Sequence, residues 1–325
     1  MEVFNGLERL PGPWPAPVVT IGNFDGVHIG HRRLMETLVA RAAAVGGRSV
    51  ALTFEPHPLR VLASGYAPRQ IQTLRQKRAA LGSLGIDALV VLPFTLELAA
   101  MSARAFVEEV LLLRLRAREI HVGPSFAFGH RREGSFNLLR QLGEELGFQV
   151  EKIQQVQFRG SRVSSTMVRQ ALITGQVALA RRLLGRPFSL EGEVVHGTAT
   201  GAHIRIPTAN LRARNEIVPR TGVYVTTAVV DGGRWQGVTN IGTRPTVTGD
   251  EASEVTIETH ILDFERDLYG AEIELEFLLR LREERRFPST VELAAQIRKD
   301  VALARRYFRW LERAAPGWFR EGKPA

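Results

Sequence analysis

Apolar and polar positions along the first half of the chain alternate between two rhythms. Runs rich in Val, Ile and Leu at 18–21, 49–54, 87–94 and 119–122 read as buried strands. Between them, apolar residues recur every three or four positions. Leu34, Leu38, Ala42 and Val45 mark a helix over 32–45, and similar spacing predicts helices over 74–84, 103–116 (with Ser102 as cap) and 176–184. Strands alternating with helices predict a parallel sheet covered on both faces. Past Gly185-Arg186-Pro187 the rhythm changes to short strands with turn signals, at 192–197, 222–230, 235–241, 255–262 and 273–281. That pattern predicts an antiparallel barrel or sandwich. In the last of these, Ile273, Leu275, Phe277, Leu279 and Leu281 share one face, with Glu274, Glu276 and Arg280 opposite. An amphipathic helix over 290–313, capped by Ser289 or Thr290, closes the pattern, and the tail after Pro316 reads as loose. The expected division is therefore an α/β domain over 1–186 and an all-β domain with its helix over 187–325.

Composition narrows this picture without changing it. The 325 residues suffice for two cores, and 44% apolar with 24% charged content is that of a globular chain. No cysteine is present, which excludes disulfides, thiolate metal sites and cysteine nucleophiles and fits a reducing, cytoplasmic compartment. No leader-like segment and no membrane-length apolar run is seen. The formal charge is +9, from 43 basic and 34 acidic residues. Those charges are spread along the chain with few Tyr or Trp for stacking, so phosphorylated small molecules are expected as ligands and nucleic acid is not.

The chemistry is concentrated in the connections. Gly22-Asn23-Phe24-Asp25-Gly26-Val27-His28-Ile29-Gly30-His31 joins the first buried strand to the first helix. Gly22, Gly26 and Gly30 let the backbone approach a ligand. The helix start offers free N–H groups suited to phosphate, and His28 and His31 are placed to donate to phosphate oxygens. Asp25 can cap the turn or bind metal. The spacing fits neither the Walker loop nor the dinucleotide fingerprint. Glu55-Pro56-His57-Pro58 is a stiff loop after the second strand. In 123–134, Phe126 and Phe128 can wall a flat ring and Arg132 can hold a phosphate. Ser164 or Ser165 can cap a helix whose first turn forms an anion nest, with Arg169 one turn on.

The second half offers fewer such groups. In Ile206-Pro207-Thr208-Ala209-Asn210, the Thr208 hydroxyl and the Asn210 amide oxygen are hard ligands suited to Mg²⁺ on a nucleotide. Asn240-Ile241-Gly242-Thr243-Arg244-Pro245-Thr246 is a second polar loop. Glu258, in a β run, can accept a proton from a substrate hydroxyl.

The first of these motifs resembles the His-x-Gly-His signature of nucleotidyltransferases. Taken in order, all of them resemble the bacterial bifunctional riboflavin kinase/FAD synthetase family over nearly the whole chain. The family resemblance implies a Rossmann-like nucleotidyltransferase domain followed by a riboflavin kinase β-barrel. It implies riboflavin, FMN and ATP as small-molecule substrates, FAD as product, and Mg²⁺ with the nucleotide. In the adenylyltransferase half it implies Gly22, Phe24, Asp25, Gly30, Ser164, Ser165, Thr166 and Arg169 on the ATP side, with His28 and His31 at the reacting phosphate. His57, Pro58, Ser125, Phe126, Phe128 and Arg132 fall on the flavin side. In the kinase half it implies Glu258 as base, Thr208 and Asn210 at the metal, and Gly201, Arg205, Pro207 and Asn240 around ATP and flavin. Two departures stand out. Ser125 occupies a position where the family usually has Asp or Asn. Arg205 stands where a glycine is usual; it either costs on the order of 1 kcal/mol, if positive φ is required there, or supplies the phosphate contact itself. An FAD synthetase with a weakened kinase is thus one alternative, and a basic nucleic-acid binder on a nucleotidyltransferase scaffold a more distant one.

Overall fold

The computed structural model describes residues 1–196, 206–244 and 254–315. The chain divides into two compact units, Met1–Ser165 and Thr166–Ala325.

The first unit is built on a six-stranded, all-parallel sheet. Its strands are β1 (Glu2–Asn5), β2 (Val18–Ile21), β3 (Ser49–Glu55), β4 (Ala88–Pro93), β5 (Glu119–Val122) and β6 (Gln149–Lys152), in the order β1-β4-β3-β2-β5-β6. All four residues of β2 and of β5 are buried, as expected of strands covered on both faces. One face packs Val19, Ile21, Leu52 and Ile120 against Phe106, Val107 and Leu111. On the other face, Leu34, Met35 and Leu38 of α1 (Ile29–Ala44) meet Val18, Ala51 and Leu89. The short edge strands β1 and β6, half-exposed and only four residues each, carry too little periodicity to be read from sequence. The helix expected over 103–116 is a single turn, Ala103–Ala105, that runs into a π-helical segment, Phe106–Arg114. Further helices are α2 (Pro58–Leu62), α3 (Leu74–Gly82) and α4 (Leu96–Ala100), and an unforeseen one runs over Phe136–Leu146.

A helix over Ser165–Ile173 starts at the last residue of the first unit. Another, Val177–Leu184, packs on two barrel strands, β9 (Phe188–Val195) and β14 (Glu272–Arg282). The compact second unit therefore begins ahead of Pro187. Its barrel is closed in the order β10-β13-β12-β11-β14-β9, with β10 over Ala209–Ala213, β11 over Gly222–Val230, β12 over Gly233–Arg244 and β13 over Glu254–Ile261. (The two-residue strands Gln157–Phe158 and Ser161–Arg162, β7 and β8, form a separate hairpin in the first unit.) Inside the barrel, Tyr224 and Phe188 pack on Phe277. The fully buried Thr226, Thr239 and Thr259 join hydroxyls at 2.7 and 2.9 Å. The expected clean alternation through Leu281 fails in β14. A register shift opposite Val225 and Thr226 skips Leu278, which then packs with Leu279 and Leu281 beneath the terminal helix α9 (Thr290–Ala314). Ala304, Phe308 and Leu311 of that helix cover Val223, Val225 and Val238, and Arg282 forks onto the buried Asp300 at 2.8–3.1 Å.

The polar loop expected over 240–246 is instead strand as far as Arg244, because Asn240–Arg244 pair antiparallel with Glu254–Glu258 of β13. Pro245 and Thr246, Gly201, Arg205 and the rest of 197–205, and the tail after Pro316 lie outside the described residues.

Two candidate active sites

Strand β2 is flanked by β3 on one side and β5 on the other, so the chain order reverses at its carboxyl end, where an open parallel sheet binds ligands. The 22–31 turn leaves the sheet at that point. His28 is the N-cap of α1, and its Nδ1 accepts the His31 backbone N–H at 3.3 Å. A neutral His28 therefore carries its proton on Nε2, the nitrogen able to donate to a phosphate. The His28 and His31 rings stack at 3.7 Å and 13°, and Phe24 meets His31 edge-on at 5.5 Å. This packing explains two of the glycines. A Cβ at Gly30 would sit 3.0 Å from His28 Cε1, and one at Gly22 would sit 2.8 Å from the Phe24 ring. Phe24 and Val27 themselves hold left-handed φ of 46° and 40°, strain of the kind kept at functional turns.

The turn is tied to three distant segments. The Asp25 carboxylate, 2% exposed, accepts the Ile71 N–H at 3.0 and 3.2 Å. The Asp25 main-chain carbonyl accepts the Ser165 hydroxyl at 2.8 Å, so that hydroxyl is committed to the turn. Thr53 Oγ1 donates to the Asn23 carbonyl, and the Asn23 amide lies 3.1 Å from His57 Nε2. His57 in turn caps α2, its Nδ1 accepting the Leu59 N–H, with Pro58 at the first helical position. Lys77 escapes a motif search, yet it is 3% exposed beside this network. Burial pushes its amine below the ordinary lysine value, against the opposing pull of Asp25 and Glu55. Its position between Leu74 and Leu81 on one helical face was the available signal.

The 123–134 loop is pinned at both ends. Phe128 and Gly134 exchange backbone bonds, the His130 N–H reaches the Met101 carbonyl at 2.8 Å, and Glu133 accepts the Ala103 N–H at 2.7 Å. Phe126 stacks on Phe128 at 5.2 Å. Phe128 is buried in the core against Phe106, whereas Phe126 is half-exposed, and Ser125 and Arg132 are exposed. Arg131 and Arg132 take consecutive left-handed φ of 48° and 63°. Ser164 and Arg169 are half-buried and Thr166 exposed at the start of the following helix.

In the second unit the strand registers assemble the site. Asn210 pairs with Glu258, and Glu258 with Asn240, so three strands place these side chains in one row. Thr259, next to Glu258, turns into the barrel, which puts the row on the outer face. Beyond Asn240 the row meets Val223 beneath α9. Thr208 precedes β10, and the His260 ring reaches the Pro207 carbonyl at 2.9 Å. Among the described residues no cluster of three or more His, Cys, Asp or Glu is placed to hold a metal. The Thr208 hydroxyl and the Asn210 amide oxygen are hard oxygen donors two residues apart, a sparse set whose chemistry fits a cation that keeps its waters and phosphate ligands.

The FAD synthetase family profile matches residues 13–167, and the riboflavin kinase profile matches residues 184–308. The bifunctional riboflavin kinase/FMN adenylyltransferase of Pseudomonas fluorescens is 42% identical over 305 residues, covering 94% of this chain and 97% of the relative. That of Escherichia coli K12 is 41% identical over 310 residues, covering 95% and 98%. The crystal structure of a macrolide-efflux protein from Streptococcus pneumoniae matches with TM-score 0.85 and 27% identity over 94% of this chain and 99% of that one. Among the described residues no helix is long and apolar enough to cross a membrane. On identity and coverage together, the chain belongs to the bifunctional riboflavin kinase/FMN adenylyltransferase family.

Proposed function

We propose that the barrel phosphorylates riboflavin and the parallel-sheet unit adenylylates the resulting FMN, with the residues described above in the following roles. In the barrel, the ribityl hydroxyl attacks the γ-phosphorus of ATP, and FMN and ADP form. Glu258, set between Asn210 and Asn240 by strand register, takes the hydroxyl proton. Thr208 and Asn210 would hold Mg²⁺, which when bound would offset charge on the phosphate oxygens. In the first unit, a phosphate oxygen of FMN attacks the α-phosphorus of a second ATP. FAD forms and pyrophosphate leaves. His28 and His31 donate to the oxygens on which charge grows, and the start of α1 adds its free N–H groups. Phe126 and Arg132 border the flavin side, while Phe128 supports Phe126 from the core. With no cysteine and with ATP as co-substrate, the work fits the cytoplasm. The functional boundary we assign lies at Gly185-Arg186-Pro187.

The observation that carries this reading is the presence, in one chain, of a histidine stack at the switch point of a parallel sheet and a carboxylate–amide row on a closed barrel. The test is to incubate the protein with Mg²⁺ and ATP, once with riboflavin and once with FMN, and to resolve the flavins. FMN and FAD are expected from riboflavin, and FAD with pyrophosphate from FMN. FAD from FMN alone would leave only the first unit active, and no flavin product would sink the reading.

A further inference from the structure

The ladder between β10 and β13 is short. Ala209 faces Thr259 and Asn210 faces Glu258, so the same register carried back sets Thr208 opposite His260. Pairing stops before that point, and Pro207 has no N–H with which to extend it. The tie comes instead from a side chain. His260 Nδ1 lies 2.9 Å from the Pro207 carbonyl oxygen. A carbonyl only accepts, so Nδ1 bears the hydrogen and donates. The imidazole thus supplies a cross-strand bond just beyond the last paired residues. Glu258 and His260 stand two residues apart on one face of β13, with Thr259 between them turned into the barrel.

We propose that His260 is a positioning residue of the barrel site: its bond to Pro207 fixes where Thr208 and Asn210 meet a divalent cation on the nucleotide. One strand then supplies both the base and the tether of the metal loop. The bond belongs to the layer behind the ligands, where loss of one partner typically weakens metal affinity by about 10-fold or more. This inference rests on the kinase reading of the barrel.

The probe is Mn²⁺ titrated into the full chain with saturating ADP and no flavin, read as paramagnetic broadening of the Ala209 and Asn210 backbone amide signals. That readout reports Mn²⁺ within reach of these two barrel amides, and the His28→Ala background serves as the control for nucleotide held by the first unit. His260→Phe should raise the Mn²⁺ midpoint roughly 10-fold. His260→Asn, whose Nδ2–H replaces Nδ1–H, should stay within about 2-fold of the unaltered protein, because the hydrogen bond is kept. His260→Gln, with its donor one bond farther out, should behave like His260→Phe, and this pair decides the matter if the Phe variant does not fold. An unchanged midpoint in His260→Phe, or an Asn variant as weak as Gln, overturns the proposal. Absence of broadening at Asn210 in the unaltered protein removes the barrel metal site itself, and the role of His260 with it.

Discussion

In the parallel sheet the side chains proposed to react stand on connections, whereas in the barrel they stand on or beside the strands. The first arrangement needs tethers. Asp25 reaches Ile71, Ser165 reaches Asp25, and Thr53 reaches Asn23, each closing a gap of 30 to 140 residues in sequence. The second needs register. Once β10, β13 and β12 pair, their register alone sets Asn210, Glu258 and Asn240 side by side. A site made of tethered turns is open to local damage through a small change in packing, while a site made by register depends on the pairing of whole strands.

The largest expected effect separates the two. Glu258→Gln should lower FMN formation from riboflavin by about 10²–10⁴-fold and leave FAD formation from supplied FMN unchanged. Equal loss of both, measured by flavin chromatography, would break the division of labour. His28→Ala should do the reverse, cutting adenylylation by about 10²–10³-fold with riboflavin phosphorylation intact. Gly30→Ala sharpens the point about tethered turns. Its new Cβ, 3.0 Å from His28 Cε1, should tilt the ring and cost roughly 10-fold in kcat for FAD synthesis, with a smaller change in KM. Asp25→Ala strands the Ile71 N–H and should lower the unfolding free energy of the first unit by about 1–3 kcal/mol, read in urea.

The smallest expected effect concerns pH. Arg41 forks onto Glu119 at 2.7 and 2.8 Å, and that hydrogen bonding holds the Glu119 carboxyl below its ordinary value. A carboxyl with a lowered folded-state pKa adds stability above the ordinary carboxylate range and loses it as the pH falls through the folded value. His121, whose pKa burial pushes down, works in the same direction: the unfolded chain binds its proton first as acid is added. Glu119→Gln should therefore melt roughly 2–4 °C lower near neutral pH and show a shallower decline as the pH falls below the ordinary carboxylate range. An identical acid limb would assign the cluster no part in acid stability.

Much of this was legible in the sequence because the signals are local. The 22–31 turn announces itself by three glycines and two histidines in ten residues, and the helix that follows confirms its setting. What escaped is set by distance along the chain. Nothing near Asp25 says that its carboxylate caps Ile71, and nothing near His260 says that it ties down Pro207. Phe128 looks like its neighbour Phe126 in sequence, yet the sheet places one in the core and the other at its margin. Strand β10 gives no strand signal in the sequence, since its five residues include Asn210 and Arg212, whose polarity belongs to the outer face. The skipped residue Leu278 ends the apolar alternation of β14 early, and no composition rule marks such a shift.

The closed ring of the barrel has one more consequence. Every one of its strands is bonded on both flanks, so it offers no bare border on which another chain can lay a strand. The parallel sheet has two borders, β1 and β6, four residues each, guarded by their shortness and by the charges of Glu2, Glu151 and Lys152. When the protein is warmed, clumping between molecules should start at those borders and leave flavin phosphorylation as the last activity to disappear.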